Sequence, residues 1–384
     1  MRTDWREIWA LYAAGVTAAY QFGKVAVVAG ELRAELGLTL AGIGWAVSLV
    51  NLLGVGLGAA AGAWADRIGT RRALVLGLAA TALAGAAQAA APDAALLLAA
   101  RAVEGLGYLV VVVAAPTLIA RRAADGDRVA ALALWATFVP VGFALANALS
   151  GLLAGPLGWR GLFLLDAALP AAAAAGVLLA VAGTPPAAVR VPGTAIYREP
   201  GPVWLGLGFC CYTLGLQAFL AFLPVRLVEA EGLDLAVAGT VAGSAAAASV
   251  AGTVAAGALM ARGLGLPALA AAGLLGSALA SAAVHLPAGA PAAVVGAVAF
   301  MIMAGLVPAV VFAGLPRVAA PAAIGPANGL IVQTGNLGSL LGPPAVAAWV
   351  GVLGWERAPL FLAILAGLGT ACLAKAFQAR HAAA

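Results

Sequence analysis

The chain has 384 residues, of which 64% are hydrophobic and only 9% charged, with a mean hydropathy of +1.06. A water-soluble domain of this length would carry roughly 25% charged residues, so water is excluded as its main solvent. The net charge of +5 does not point to nucleic acid, because the basic residues sit in short clusters between apolar runs.

In lipid every backbone N–H and C=O must find a partner within the protein, which leaves helices or a closed barrel. The apolar runs do not alternate and are long enough to cross a bilayer as helices. In chain order the expected spans are about 8–30, 39–62, 72–91, 95–119, 129–154, 160–182, 202–226, 236–260, 265–286, 291–315, 325–350 and 357–377. Arg2 and Arg6 precede a first run too long for a signal peptide, so it is expected to remain as a span. The expected fold is an all-α membrane protein with twelve transmembrane helices in two pseudo-symmetric six-helix bundles. Residues 1–183 form the first bundle, 184–200 a cytoplasmic linker containing Pro185, Pro186, Arg190 and Arg198, and 201–384 the second bundle.

Orientation follows from the basic residues. With the N-terminus inside, 14 Lys and Arg residues fall on the cytoplasmic side and four (Arg33, Arg160, Arg226 and Arg357) on the other, while Lys24 and Arg101 lie within spans. This bias predicts a multi-pass protein of the bacterial inner membrane with both termini cytoplasmic.

The halves repeat. Gly37–Ala41 (GLTLA) returns as Gly232–Ala236 (GLDLA) at an offset of 195. Thr17 and Gln21 return as Thr213 and Gln217, and Gly155–Trp159 (GPLGW) as Gly351–Trp355 (GVLGW), at 196. Gly105, Leu106, Val110, Val111 and Pro116 return as Gly305, Leu306, Val310, Val311 and Pro316 at 200. An ordered series with a nearly constant offset implies a parallel repeat of six spans, with a cavity where the halves meet. Gly54, Gly58 and Gly62 stand four apart on one face of the second span, with Ser249, Thr253 and Gly257 as counterparts. Small residues let helices approach closely, either as generic packing or as a surface on which one half slides over the other.

The loop after the second span reads Gly62-Ala63-Trp64-Ala65-Asp66-Arg67-Ile68-Gly69-Thr70-Arg71-Arg72. It resembles the signature loop of the major facilitator superfamily, G-x-L-A-D-R-x-G-R-K, departing at Trp64 and Thr70. Arg101-Ala102-Val103-Glu104-Gly105 resembles the family's R-x-x-x-G, and Trp159-Arg160 before span six is also familiar there. The resemblance implies a secondary transporter working by alternating access, with spans one, four, seven and ten around the cavity. It further implies a gating latch on the cytoplasmic side made by Gly62, Asp66, Arg67, Gly69 and Arg71. The full antiporter motif of drug exporters is missing from span five, which shows only Val139-Pro140-Val141-Gly142. The stretch from Asn328 and Gln333 to Pro344 resembles cyanate- and nitroimidazole-type permeases.

Charges inside spans are costly, roughly 2.5–3.5 kcal/mol each on insertion scales, and so single out functional residues. Arg101, Glu104 and Tyr108 share one face of span four, and Thr17, Gln21 and Lys24 one face of span one. With Thr213 and Gln217, these residues other than Glu104 are the expected substrate cavity. Glu104 and Asp166 are the expected proton-coupling carboxylates. Each has a plain alternative: Lys24 snorkelling to the headgroups, Arg101–Glu104 as a static packing pair, Asp166 as a structural acid. Counting Lys24 and Arg101 against Glu104 leaves one positive charge in excess. This favours a small anionic or polar organic solute moved with a proton, the alternative being proton-driven export of drugs or metabolites.

An enzyme is not expected. The only histidines are His285 and His381, with no H-E-x-x-H or C-x-x-C, and Cys210, Cys211 and Cys372 lie in apolar segments without metal-ligand spacing. No cofactor and no metal are expected. The expected partners are the small-molecule substrate, a proton and the lipid bilayer, with no nucleic acid, and the chain is expected to be a monomer.

Overall fold

The computed structural model describes residues 3–124, 126–183, 194–287, 289–320 and 323–379. Among them all regular secondary structure is helical. The first half comprises α1 (Trp5–Val27), α2 (Ala29–Leu36), α3 (Leu40–Ser48), α4 (Leu52–Ile68), α5 (Thr70–Ala89), α6 (Ala94–Arg122), α7 (Arg128–Ala136) and α8 (Phe138–Ala180). The second comprises α9 (Pro200–Glu229), α10 (Leu235–Ala261), α11 (Leu266–His285), α12 (Ala290–Val318), α13 (Ile324–Leu353) and α14 (Ala358–Gln378). Of the expected linker, residues 184–193 lie outside the described residues, and Thr194–Arg198 form a 3-10 turn.

Among the described residues, ten segments are long and apolar enough to cross a bilayer. One of them, α8, has 43 residues. A helix of that length would be about twice as long as the hydrocarbon layer is thick. It turns a corner at Gly158, whose φ of 61° and ψ of 169° are not helical, and so supplies two spans. The eleventh is this second arm of α8, and α1, 23 residues long and carrying Lys24, completes twelve. Leu83, Leu179 and Leu279 are 74%, 89% and 77% exposed. Water would penalise side chains held in that way, whereas lipid accepts them.

The sequence repeat is also a repeat of backbone geometry. Gly37 and Gly232 both adopt the left-handed conformation (φ 65° and 67°) after the first span of each half, and Gly158 and Gly354 (φ 61° and 80°) both precede a tryptophan. Each position would strain any residue with a Cβ by about 1–2 kcal/mol. Close helix contacts repeat as well. A Cβ on Gly105 would lie 2.5 Å from the Val50 carbonyl oxygen, and one on Gly305 would collide with the Ser249 carbonyl of α10. Between the halves, Gly44 on α3 packs on Pro343 of α13, and Gly239 on α10 packs on the Asn147 carbonyl of α8. These two contacts exchange roles when the halves are interchanged, which places a pseudo-twofold axis between them.

The halves are not packed together equally along their length. At the end far from the chain termini, one apolar cluster joins Val28, Leu32, Ile43 and Trp159 of the first half to Phe222, Val225, Val346 and Val350 of the second. Arg33 Nη1 and Glu229 Oε1, 2.9 Å apart, bridge the halves there at the surface. At the end bearing the termini, Ile8, Leu11, Leu74, Leu118 and Val177 cluster within the first half alone. The molecule is thus sealed on the face opposite its termini.

Candidate functional site

The membrane-buried charges meet in one place. Lys24 on α1, Arg101 and Glu104 on α6, and Asp166 on the second arm of α8 each have 0% exposure. Glu104 is the hub. Its Oε1 accepts from Lys24 Nζ at 2.8 Å, and its Oε2 accepts from Gln88 Nε2 at 3.0 Å and from Arg101 Nη1. Lys24 Nζ also donates to Gln21 Oε1 at 2.7 Å and lies 4.9 Å from the centre of the Phe163 ring.

The backbone is shaped around Arg101. Between α3 and α4 the chain tightens into a 3-10 turn, Leu49–Asn51. That turn interrupts the helical hydrogen-bond ladder just beyond Ala46 and Val47. Their carbonyls accept from Arg101 Nε at 2.6 Å and Nη2 at 3.3 Å, and Arg101 Nη1 donates to the Gln21 carbonyl at 2.9 Å. One guanidinium, with donors in a rigid fork, therefore ties α1, α3 and α6 together. Gly105, next to Glu104, has no side chain and lets α6 reach the turn at Val50.

Asp166 is held differently. Its backbone carbonyl accepts from Gln21 Nε2 at 3.3 Å, which anchors α8 to α1. Neither of its carboxylate oxygens is paired with a charged or amide donor; the Tyr20 hydroxyl stands beside it and is in hydrogen-bonding contact with the carboxylate. Lys24 is within its electrostatic reach. Ser150 Oγ and Asn147 Oδ1, one turn apart on α8, are likewise buried without a partner. The four buried charges, two positive and two negative, sum to zero. The excess positive charge expected from the sequence disappears once Asp166 is counted in the same cluster.

The other expected site residues separate. Thr17 donates to the Ala14 carbonyl at 3.0 Å, and Gln21 joins the charge cluster. Tyr108 faces the junction of the halves, its ring edge-on to Phe22 at 4.8 Å, and Phe22 stacks on Phe143 at 5.5 Å. Phe22, Val50 and Phe143 of the first half pack into the apolar core of the second. Thr213 donates to the Phe209 and Cys210 carbonyls, each at 3.1 Å, and Gln217 is buried on the same helix. Gly62 to Ile68 of the expected loop continue α4 as helix, so only Gly69 separates α4 from α5; the side chain of Asp66 lies outside the described residues, and of Gly62 only its place in the helix is described. Gly69 turns the chain with φ 94°, Arg67 is exposed, and Arg71 Nη2 donates to the Leu178 carbonyl at 2.6 Å, within the same half.

The sequence reading missed Gln88, the backbone carbonyls that hold Arg101, and the aromatic group formed by Phe22 and Phe143. Gln88 carried a signal, a polar side chain inside an apolar span. The carbonyls carried none, because they depend on a helix break.

Twelve spans in two repeated bundles, with a buried charge cluster between spans one, four and six, match a known family. The sequence fits the Major Facilitator Superfamily over residues 11–311. The chain belongs to that superfamily. Among solved superfamily-like structures, a bacterial homologue of the human lysosomal transporter Spinster, inward-facing and unoccupied, superposes with a TM-score of 0.80 at 17% identity. It covers 98% of this chain, and 96% of that chain is matched. The nucleoside transporter NupG gives 0.82 at 14% identity, covering 96% of this chain and 99% of its own. At these identities the likeness concerns the fold. Among relatives, the Methylenomycin A resistance protein of Bacillus subtilis (strain 168) is 30% identical over 191 residues, 50% of this chain and 40% of that protein. The Cephamycin export protein CmcT of Amycolatopsis lactamdurans is 34% identical over 143 residues, 37% of this chain and 29% of that protein. The matched stretches thus span less than half the length of these relatives. The superfamily consists of membrane transporters, and this chain is a multi-span membrane protein of that kind.

Proposed function

We propose that this transporter is a proton-coupled exporter of a small, largely uncharged or amphipathic organic molecule, working by alternating access. The observation that carries the reading is the sealed, neutral charge cluster. With Asp166 ionised, Lys24, Arg101, Glu104 and Asp166 cancel one another, and all four are fully buried, so in that state they offer no net positive charge to an anionic solute. What the first half presents to the second is aromatic and apolar, Phe22, Tyr108 and Phe143. Relatives named for antibiotic resistance and antibiotic export support the direction. The substrate cavity would lie at this junction, with Thr17, Tyr108, Thr213 and Gln217 at its wall and Gln21, Lys24 and Arg101 behind it.

Within the cluster the two carboxylates have separate tasks. Glu104 is engaged by three donors and holds the bundle together. Asp166, with only the Tyr20 hydroxyl against it and no cation bonded to it, can take up and release a proton without breaking an ion pair, so it is the coupling carboxylate. Both termini would face the cytoplasm, following the distribution of basic residues. The sealed face is then the outer one, and the conformation is inward-facing. The Asp66–Arg71 loop would latch the halves in the opposite, outward-facing state, with the protein acting as a monomer.

The test is transport into inside-out proteoliposomes under an imposed pH gradient. Uncharged and cationic antibiotics should accumulate, and small carboxylates should not. Accumulation of small carboxylates with no movement of the antibiotics would overturn the export reading.

A further inference from the structure

The corners at the sealed face are built on the same backbone in both halves but with opposite chemistry. In the first half, Trp159 follows the left-handed Gly158, and its two N–H groups are both taken by carboxylates. The backbone N–H donates to Glu31 Oε2 at 2.9 Å, the indole Nε1 donates to Glu35, and Arg160 also bonds Glu35. The indole and the guanidinium hold the Glu35 carboxyl below the usual carboxylate range.

Gly37 and Gly232 align the second corner. Six residues before each stand Glu31 and Arg226, and two before each stand Glu35 and Ala230. Following the paired glycines 158 and 354 come Trp159-Arg160 and Trp355-Glu356. Every charged position of the first corner has been reversed or lost in the second. Glu31, an acceptor for the tryptophan N–H, has become Arg226, a donor. No acceptor among the described residues meets either N–H of Trp355.

A cavity of about 330 Å³ occupies this second corner, lined among others by Arg226, His285, Pro287, Gly354, Trp355 and Glu356. Arg226 is 8% exposed and its Nε has no hydrogen-bond partner. Its Nη2 reaches the His285 carbonyl at 3.3 Å and Glu231 at 3.6 Å. The His285 ring, fixed by a 2.9 Å contact of Nδ1 with the Ser281 carbonyl, lies nearly parallel to the Trp355 ring with centres 6.0 Å apart. Glu356 is exposed at the rim. Arg226 Nε and the two Trp355 N–H groups, donors left without an acceptor beside two flat rings, suit an acceptor that is planar and negatively charged.

We infer that this corner of the second half is a binding site for a small organic carboxylate, which takes the place that Glu31 and Glu35 fill in the first half. The site is separate from the junction of the halves and does not depend on the proposed export function.

Titration calorimetry of the full-length protein in detergent micelles, with benzoate, benzamide and benzylammonium, tests it. Benzoate should bind saturably at one site, and the other two should not. Arg226→Gln should weaken benzoate by about tenfold or more, the loss expected for a charge-assisted hydrogen bond. Ala230→Glu restores the acid of the first corner, so it should fill the site from within and abolish benzoate binding without lowering the melting temperature. This second variant decides the matter even if Arg226→Gln fails to fold. Absence of benzoate binding, preference for benzylammonium, or benzoate binding untouched by Ala230→Glu would each overturn the assignment.

Discussion

Replacing Glu104 by Gln tests whether the charge cluster is a structural hub. Gln keeps the shape of the side chain and removes its charge. Lys24 and Arg101 then stand in the bundle with no carboxylate between them, both at 0% exposure. Removing one partner of a buried ion pair costs roughly 3–5 kcal/mol, because the remaining charge is left uncompensated. The two cations are not equally affected. Arg101 keeps the carbonyls of Ala46, Val47 and Gln21, whereas Lys24 keeps one hydrogen bond, to Gln21 Oε1, the face of Phe163 and the more distant charge of Asp166. The loss should therefore come mainly from Lys24, and Glu104→Gln should lower stability by about 3–5 kcal/mol. The double variant Lys24→Met with Glu104→Gln removes the stranded ammonium and should recover at least about 1–2 kcal/mol of that loss, within the range of coupling energies between neighbours in contact. Equilibrium unfolding of wild type, both single variants and the double variant in mixed micelles measures the cycle. A Glu104→Gln protein within about 1 kcal/mol of wild type, with no recovery in the double variant, would refute the hub and return Glu104 to the candidates for proton exchange.

Asp166→Asn breaks no ion pair and keeps an oxygen to accept from the Tyr20 hydroxyl, so the protein should keep its melting temperature while losing accumulation driven by a pH gradient; downhill exchange of the same solute should survive. Asp66→Asn should slow transport and raise labelling of cysteines placed on the cytoplasmic side, because a charge-assisted contact of the outward-facing state is lost; unchanged rate and labelling would remove the latch role. A reporter fused after the last helix should be active only in the cytoplasm, and an external C-terminus would sink the twelve-span orientation. Gly105→Val places atoms against the Val50 carbonyl and should reduce the yield of folded protein, whereas Gly257→Ala, with open space around it, should be silent.

Much of the fold could be read from the sequence because lipid imposes it locally. A run of about 20 apolar residues has to become a helix, whatever its neighbours do. The repeat was legible for a related reason. Gly37 and Gly232, or Gly105 and Gly305, are fixed by steric demands at single positions, and a demand of that kind leaves the same letter at the same offset. Asn147 and Pro343 show the limit. They occupy matching places across the pseudo-twofold axis, yet they differ in the sequence because only their backbones make the contact. Helix breaks were also hidden: nothing in Leu49-Val50-Asn51 announces a 3-10 turn, since its stabilising partner, Arg101, is fifty residues away.

The charge cluster marks where residue type stops being informative and geometry takes over. Each of its four charges could be recognised as costly within a membrane, and the i, i+3 spacing of Arg101 and Glu104 suggested a pair. What could not be read was which carboxylate would be satisfied. Lys24 might have joined either acid, and it joins Glu104 because α1 and α6 meet at the level of the turn that Gly105 permits. Asp166 arrives on a helix that follows the Gly158 corner and is anchored through its backbone carbonyl, which leaves its side chain with the Tyr20 hydroxyl and no cationic or amide donor. The difference between a structural acid and an exchanging one is therefore set by which backbone groups reach Gln21 and Arg101. It is a property of three helices together, and no single segment of the sequence carries it.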